Sequence, residues 1–212
     1  MRLFLSSQDF GRHAKKVREL MGDNNRVAYI GNAHDYEDWS TKIPSKKAMF
    51  EAAGFSFEVF DLRDYFTHKH KIKNDLNKYG MVWCTGGSSF VLRQAMHLSG
   101  FDQAITELLA ADTIVYGGSS AGACVCAPSL KGIDYPGRAR PGLIALNYPS
   151  QVIIWQGLDL VPFMIVPHLD QPQRMADYKS ALANFDALGV KTWPLKDGQA
   201  IIIDGDKTEL LQ

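Results

Sequence analysis

Short β-rich runs alternate with helical patterns along most of this chain, and this alternation constrains the fold more than any other feature. In βαβ units each helix returns the chain to the start of the next strand, so that successive strands pair in parallel. The sequence therefore predicts an α/β fold with a parallel sheet. The predicted strands lie at residues 2–5, 26–30, 56–60, 81–84, 113–116, 151–155, 164–166 and 200–203.

Apolar residues at helical spacing occupy several of the gaps between those strands. Helices are predicted at residues 10–21, 45–53, 72–78, 90–98 and 101–110. Residues 131–149 are instead rich in glycine and proline, which predicts an irregular loop or a hairpin that arches over the sheet edge. A single domain over residues 1–212 is expected, because this length with 46% hydrophobic content suffices for one substantial core.

The predicted strand at 113–116 runs into the segment GGSSAG and then into a helix of small residues at 121–127. A serine at such a sharp strand-to-helix turn stands clear of the sheet, and the glycines let neighbouring backbone pass close by. The pattern indicates a nucleophile elbow with Ser120 as the candidate nucleophile. The N–H of Ala121, at the start of the helix, would then face an oxyanion.

A second glycine-rich turn, TGGSSF, follows the predicted strand at 81–84. Functional loops in open α/β sheets lie at the carboxyl ends of the strands, so this turn and the elbow are expected at the same edge. The N–H of Gly87 would pair with that of Ala121 as an oxyanion hole. The alternative is that Gly86 and Gly87 only make a compact connection between strand and helix.

A nucleophilic serine needs a base, since its hydroxyl is barely ionised at neutral pH. His168 is the candidate because it comes just after the predicted strand at 164–166, which brings its imidazole to the same edge. His34 follows the strand at 26–30 and is kept in reserve for substrate contact. Three other histidines lie in polar segments typical of a solvated surface: His13, His68 and His70.

The amino-acid composition limits which partners the protein can bind and which cellular compartment suits it. A formal net charge of +0 excludes bulk electrostatic attraction to nucleic acid or to an anionic membrane surface, and no run approaches the ~18 apolar residues of a membrane span. Three cysteines, Cys84, Cys124 and Cys126, lie in apolar segments, and their odd number favours a reducing compartment, so a cytoplasmic location is expected. Two of them are spaced as Cys-x-Cys on a helix with no second pair, which is a weak metal motif. Chemistry on a serine and a histidine calls for no cofactor, so neither a metal nor an organic cofactor is expected.

The motifs GGSSF, GGSSAGA and VPH, with the late acidic turn LKDGQAIIIDG, follow one another in an order that resembles the peptidase E and cyanophycinase group of serine peptidases. The resemblance covers nearly the whole chain. It implies a three-layer α/β sandwich of flavodoxin-like type, similar to class I glutamine amidotransferases, with a Ser-His-acid triad. Ser120 matches the nucleophile of the group and His168 its base.

The resemblance gives three candidates for the acid. Asp197 occupies the turn before a late strand where the group carries its acidic residue, often as glutamate. Asp134 lies after the elbow helix, where some peptidase E sequences also have an aspartate. Asp170, two residues after His168, matches the His-x-Glu arrangement of glutamine amidotransferases. Asp197 is preferred and the other two stay open.

The resemblance also implies a substrate. Peptidase E-like members hydrolyse dipeptides with N-terminal aspartate, and they need a cation for its side chain. Arg174 is the nearest match to the arginines that follow the histidine of the group, with Arg138 and Arg140 as alternatives. Ser88 replaces an amide side chain common in the glycine turn, and with Gly86 it is a further candidate for substrate binding.

The predicted function is therefore that of a serine peptidase that cleaves small peptides through an acyl-enzyme on Ser120, with N-terminal aspartyl dipeptides as the expected substrates. An esterase or amidase with the same machinery and a small-ligand binder without turnover are the alternatives. A glutamine amidotransferase is disfavoured because those enzymes carry cysteine at the elbow. The oligomeric state is left open, with a homodimer as one arrangement.

Overall fold

The computed structural model describes residues 1–133 and 140–212, apart from the side chain of Arg174. The strands are β1 Arg2–Ser6, β2 Arg26–Ile30, β3 Ser56–Val59, β4 Met81–Cys84, β5 Val115–Ser119, β6 Met164–Val166, β7 Thr192–Pro194, β8 Ala200–Asp204 and β9 Lys207–Leu211. The α-helices are α1 Ala14–Met21, α2 Ile43–Ala52, α3 Lys69–Leu76, α4 Ser89–Ser99, α5 Phe101–Ala110, α6 Ala121–Cys124 and α7 Met175–Ala187.

The main sheet has seven strands in the order β3-β2-β4-β5-β1-β8-β9. Its first five strands pair in parallel, whereas β8 is antiparallel to β1 and β9 is antiparallel to β8. Strands β4, β5 and β1 are adjacent and parallel, so their carboxyl ends lie side by side. This edge is where a ligand site is expected in an open α/β sheet.

The core lies on both faces of this sheet, because successive side chains of a strand point to opposite faces. Leu3 and Leu5 of β1 belong to one apolar cluster, and Phe4 between them belongs to the other. In β4, Val82 and Trp83 divide in the same way. Strands buried on both faces need helices on both, so the three-layer α/β architecture with a mostly parallel sheet is confirmed.

The predicted strand at 151–155 is wrong. This segment lies along the chain that follows α6, where Leu130 N donates to Trp155 O at 2.7 Å and Leu158 N donates to Val125 O at 2.7 Å. Within the segment it is thus the backbone oxygen of Trp155 that is bonded to this stretch of chain and not to a strand of the sheet. Its apolar residues do not mark a buried strand either, since Val152 and Ile153 are 49% and 45% exposed.

The strand at 164–166 forms as predicted but does not join the main sheet. As β6 it pairs in parallel with β7, a strand that the sequence analysis did not include. Helix α7 was also missed; its buried side chains are Tyr178, Ala181 and Phe185, spaced three and four residues apart. This spacing is the signal that would have found it.

Helix α6 ends at Cys124, earlier than the predicted 127, and β5 extends to Ser119, beyond the predicted 116. Helix α1 begins later than the predicted residue 10, because Gly11 has φ +49° and Gly11–His13 form a 3-10 helix ahead of it.

The described part of the predicted loop at 131–149 contains neither helix nor strand, and it is tied to the loop after β2. Leu146 N donates to Asp35 O at 2.6 Å, and the hydroxyl of Tyr148 donates to Asp35 Oδ2 at 2.8 Å. Across the described ranges of the chain, no helix combines the length and the apolar character that crossing a membrane requires.

Candidate active site

Three neighbouring strands end at the same edge of the sheet, and a serine or glycine follows each of them there. Ser7 follows β1, Gly86 follows β4 after one residue, and Ser120 follows β5. Because these strands are parallel and adjacent, their carboxyl ends open into a common cleft of about 310 Å³, which all three residues line.

Ser120 has the strained backbone of a nucleophile elbow, with φ 51° and ψ −109°, a conformation that a residue with a Cβ rarely adopts. Its N–H donates to Ser6 O at 3.0 Å, which fixes the turn to β1. Helix α6 begins at the next residue and packs against β4 so closely that a Cβ on Gly122 would lie 2.0 Å from Cys84 O. The side chain of Ser120 is thereby lifted away from the sheet toward the cleft.

His168 reaches Ser120, the candidate nucleophile, from the end of β6. Its Nε2 lies 2.9 Å from Ser120 Oγ, and its Nδ1 lies 2.6 Å from Asp197 Oδ1. An ionised carboxylate can only accept, so the Nδ1–H donates to Asp197 and Nε2 is left to accept the Ser120 hydroxyl proton. The backbone at His168 has φ 63°, and its N–H donates to Ser7 Oγ at 2.7 Å.

Asp197 lies on the turn between β7 and β8 and accepts from two further side chains. Ser7 Oγ donates to its Oδ1 at 2.7 Å, and Gln171 Nε2 donates to its Oδ2 at 2.9 Å. Burial by itself would raise the pKa of this carboxyl, but the hydrogen bonds from Gln171, Ser7 and His168 outweigh it and lower the pKa below its usual value. Asp197 is therefore held in its ionised form.

The other two candidate acids are placed differently. Asp170 Oδ1 accepts the backbone N–H of Asp197 at 3.0 Å, so it contacts the turn that carries Asp197. Asp134 lies outside the described residues. Among the three, the structure brings Asp197 to the imidazole of His168.

Ser7 and Gln171 are site residues that the sequence analysis missed. The side chain of Ser7 is fully buried and connects the backbone of His168 to the carboxylate of Asp197. The sequence could have indicated its position, because Ser7 follows a strand that runs parallel to β5 and so reaches the same edge of the sheet. Gln171 lies three residues after His168, and its contact with Asp197 depends on a turn that the sequence pattern does not specify.

Of the two expected oxyanion donors, Gly87 lines the same cleft, and Ala121 directly follows Ser120, which also lines it. In the parts of the chain that the structure describes, neither the Gly87 N–H nor the Ala121 N–H donates to an acceptor. Gly87 has φ +143°, and a Cβ there would lie 2.5 Å from Ala33 O, so the turn requires glycine. Unpaired backbone donors next to a nucleophile are suited to a developing oxyanion.

Gly86 and Ser88, the other two residues of interest in this turn, have different surroundings. Gly86 lines the cleft, and a Cβ built on it would lie 3.1 Å from the Cβ of Ser120. Ser88 is fully buried and caps α4, where its hydroxyl accepts the N–H of Val91 at 3.3 Å. The Ser88 side chain thus shapes the turn and does not line the cleft.

The expected cations also differ in their placement. Arg140 is exposed, Arg138 lies outside the described residues, and so does the Arg174 side chain. Among the lysine and arginine side chains that the structure describes, that of Lys46 on α2 lines the cleft, and its Nζ lies 2.8 Å and 3.0 Å from the two carboxylate oxygens of Asp9. His34, the reserve candidate, lines the cleft as well.

The three cysteines lie away from the chemistry. Cys84, Cys124 and Cys126 are buried free thiols, and burial raises the pKa of both Cys84 and Cys124 to about 12. Thiols kept protonated in this way are poor nucleophiles and poor metal ligands. Within residues 1–133 and 140–212, no cluster of three or more histidine, cysteine or acidic side chains is arranged to hold a metal ion.

Two proteins named as uncharacterised peptidases are similar in sequence to this chain. One, from Listeria monocytogenes, is 25% identical over 179 residues, which cover 84% of this chain and 82% of that protein. The other, from Pasteurella multocida, is 24% identical over 189 residues, with 86% and 83% coverage.

Two solved structures share the fold. A Listeria monocytogenes EGD-e protein that is provisionally named a peptidase E superposes with a TM-score of 0.79 at 24% identity, over 100% of this chain and 98% of that one. A peptidase from an acI-B1 Actinobacterium gives a TM-score of 0.72 at 12% identity, over 99% and 86%. The similarity to peptidase E predicted from the sequence motifs is thereby confirmed for the fold.

The family model described as Peptidase family S51 matches residues 3–211, which is nearly the whole chain. The chain therefore belongs to peptidase family S51 and is a serine-type peptidase.

Proposed function

We propose that this peptidase hydrolyses short peptides, and dipeptides with N-terminal aspartate in particular, through an acyl-enzyme on Ser120. The observation that carries the proposal is the continuous hydrogen-bonded chain from Ser120 Oγ to His168 Nε2 at 2.9 Å and from His168 Nδ1 to Asp197 Oδ1 at 2.6 Å. Such a chain is what a serine needs to become a nucleophile at neutral pH.

In the proposed reaction Ser120 Oγ attacks the carbonyl carbon of the scissile peptide bond, and its proton passes to His168 Nε2. The resulting oxyanion accepts hydrogen bonds from the N–H groups of Gly87 and Ala121. The C–N bond then breaks as His168 returns the proton to the leaving amine. Water, deprotonated by the same imidazole, hydrolyses the ester and releases Ser120.

The size and polarity of the cleft support a short, charged substrate. Its volume of about 310 Å³ suits a ligand of dipeptide size, and its lining includes the charged residues Asp9 and Lys46. A cation in the cleft is what binding of an aspartyl side chain requires.

The test is a substrate panel assayed with the wild type and with Ser120→Ala: Asp-Leu, Ala-Leu, aminoacyl p-nitroanilides and an acetate ester. Ser99→Ala serves as the matched control, because Ser99 is a buried serine whose hydroxyl bonds Met96 O, within α4. We expect cleavage of Asp-Leu by the wild type and by Ser99→Ala, and a loss of several orders of magnitude in turnover for Ser120→Ala.

The panel also separates the competing functions. Serine-dependent cleavage of Ala-Leu as rapid as that of Asp-Leu would overturn the specificity for aspartate. Serine-dependent turnover of the ester alone would indicate an esterase, and activity retained by Ser120→Ala would overturn the mechanism. Binding of peptides without turnover would identify a ligand-binding protein.

A further inference from the structure

Two opposite charges lie side by side in the cleft, and the proposed reaction does not use them. Asp9 comes three residues after the end of β1, and Lys46 lies on α2, so two separate elements contribute to the pair. The Lys46 Nζ contacts both carboxylate oxygens of Asp9, at 2.8 Å and 3.0 Å. Both residues line the cleft that contains Ser120 and His168.

The pair retains hydrogen-bonding capacity toward the cleft. An ammonium group has three donors, and two of those of Lys46 are directed at Asp9, which leaves one. Each carboxylate oxygen of Asp9 can accept more than one hydrogen bond. The side chains are only 29% and 26% exposed, so a ligand that meets them in the cleft is screened less than it would be on an open surface.

We propose that Asp9 and Lys46 form the subsite for the N-terminal residue of the substrate, with Asp9 binding the α-ammonium group and Lys46 binding the side-chain carboxylate. This inference rests on the proposed peptidase function and names the residues that select its substrate. An N-terminal aspartate carries its ammonium and carboxylate groups on neighbouring carbon atoms. Two adjacent opposite charges on the substrate thus meet two adjacent opposite charges on the enzyme.

The assignment gives both halves of the pair a role in selection. Lys46 favours an acidic first residue over a neutral one, and Asp9 requires that the amino group be free and protonated. The subsite therefore predicts an exopeptidase that rejects N-acetylated peptides as well as peptides that begin with alanine or asparagine.

The simpler alternative is a tether in which the ion pair only holds the loop after β1 against α2. The two roles differ in what removal of the Asp9–Lys46 ion pair would change. Loss of a tether would lower the activity on every substrate in similar proportion and would reduce stability. Loss of a subsite changes the ratio between substrates that differ by a single charge.

The test uses Lys46→Gln and Asp9→Asn, with Lys47→Gln as the matched control. Lys47 is the next residue on α2 and is 53% exposed; it pairs with Glu51 one turn further along the helix. The substrates are Asp-Leu, its neutral isostere Asn-Leu and N-acetyl-Asp-Leu. The measured quantity is kcat/KM for each enzyme and substrate, together with calorimetric binding of Asp-Leu to each variant in a Ser120→Ala background.

We expect Lys46→Gln to lower the ratio of kcat/KM for Asp-Leu over Asn-Leu by about 10- to 100-fold, the range for one charge-assisted hydrogen bond. Asp9→Asn should lower the ratio for free over acetylated Asp-Leu by a similar factor. Lys47→Gln should match the wild type. Calorimetric affinity for Asp-Leu should fall in parallel with these ratios.

A proportional loss on all three substrates, with the ratios unchanged, would overturn the subsite while the peptidase function stands. Absence of Ser120-dependent cleavage by the wild type would overturn the proposed function instead. In that case a loss of calorimetric affinity in Lys46→Gln but not in Lys47→Gln would still support the subsite as a ligand site, and unchanged affinity would overturn it as well.

Discussion

Ser7 Oγ donates a hydrogen bond to Asp197 Oδ1 at 2.7 Å, and the same oxygen accepts the backbone N–H of His168 at 2.7 Å. One buried hydroxyl, supplied by the chain just after β1, therefore fixes the relative position of the imidazole and of the carboxylate that orients it. In the absence of this hydroxyl, the two residues would be held together by their own contact and by Gln171.

Ser7→Ala is expected to lower kcat by about 10- to 100-fold with a smaller change in KM, because Ser7 positions the base and contacts no substrate in the proposed mechanism. It also leaves the partly buried N–H of His168 without its acceptor, which costs about 1–3 kcal/mol of stability. Steady-state kinetics and urea unfolding of the variant measure the two effects.

Ser99→Ala is the matched control, since Ser99 is equally buried and its hydroxyl also makes two hydrogen bonds, to Met96 O and from Phe101 N. It should lose stability and keep kcat. Equal kcat values for Ser7→Ala and the wild type would show that Ser7 does not position the base.

Asp197→Asn is expected to reduce kcat by about 10³- to 10⁴-fold, because an amide donating to His168 Nδ1 forces the wrong imidazole tautomer. Asp170→Asn should cost far less, since the Asp170 carboxylate contacts only the backbone N–H at Asp197 among the described hydrogen bonds. Asp134→Asn completes the series for the third candidate acid. Measuring kcat for the three variants decides which carboxylate acts.

A loss in Asp134→Asn or Asp170→Asn as large as that expected for Asp197→Asn would contradict the assignment. Circular dichroism of each variant serves as the check that the fold is retained. The amide substitution preserves side-chain size, so a change in kcat without a change in the spectrum reports on the charge.

Much of the fold could be predicted from the sequence. Parallel strands that are buried on both faces consist of continuous apolar runs, such as MVWC at 81–84. The prediction of a strand failed where apolar residues lie outside the sheet. Residues 151–155 have strand-like composition, yet they join no sheet, and the backbone oxygen of Trp155 accepts instead from Leu130 in the chain after α6. A local pattern of apolar residues cannot distinguish the two, because it does not say which part of the chain the segment pairs with.

The sequence could predict those residues of the site that lie just after a strand. Ser120 and His168 each follow a predicted strand, and the structure brings them within 2.9 Å. The contacts of Ser7, Gln171 and Lys46 depend on how the loops after β1 and β6 and helix α2 meet at the sheet edge, which spacing along the chain does not encode. His168 illustrates the limit, since it reaches Ser120 from the small β6–β7 sheet and not from the main one.

The hydrogen bonds to Asp197 also predict a dependence of stability on pH. Its pKa is lowered in the folded state, so the carboxylate contributes stability above its usual pKa of about 3.9 that is lost as pH falls through the lowered folded value. The difference in melting temperature between the wild type and Asp197→Asn should therefore be largest between about pH 5 and pH 7 and should narrow below about pH 4. A difference that stays constant from pH 7 to about pH 3 would contradict the linkage.

Replacement by alanine is expected to reduce stability at Gly122 and activity at Gly86. A Cβ on Gly122 would lie 2.0 Å from Cys84 O, so Gly122→Ala must push α6 away from β4. We expect a loss of about 1–3 kcal/mol in the free energy of unfolding, the usual range for overpacking, and more if the turn cannot shift.

A Cβ on Gly86 would instead lie 3.1 Å from the Cβ and 3.6 Å from the Oγ of Ser120, at the open cleft. Gly86→Ala should keep nearly all of its stability and lose about 10- to 100-fold in kcat/KM, because a shift of a fraction of an ångström at the nucleophile spoils the attack geometry. Urea unfolding and steady-state kinetics on both variants separate the two effects. An unstable Gly86→Ala, or a stable and fully active Gly122→Ala, would mean that the elbow is packed differently from the arrangement described above.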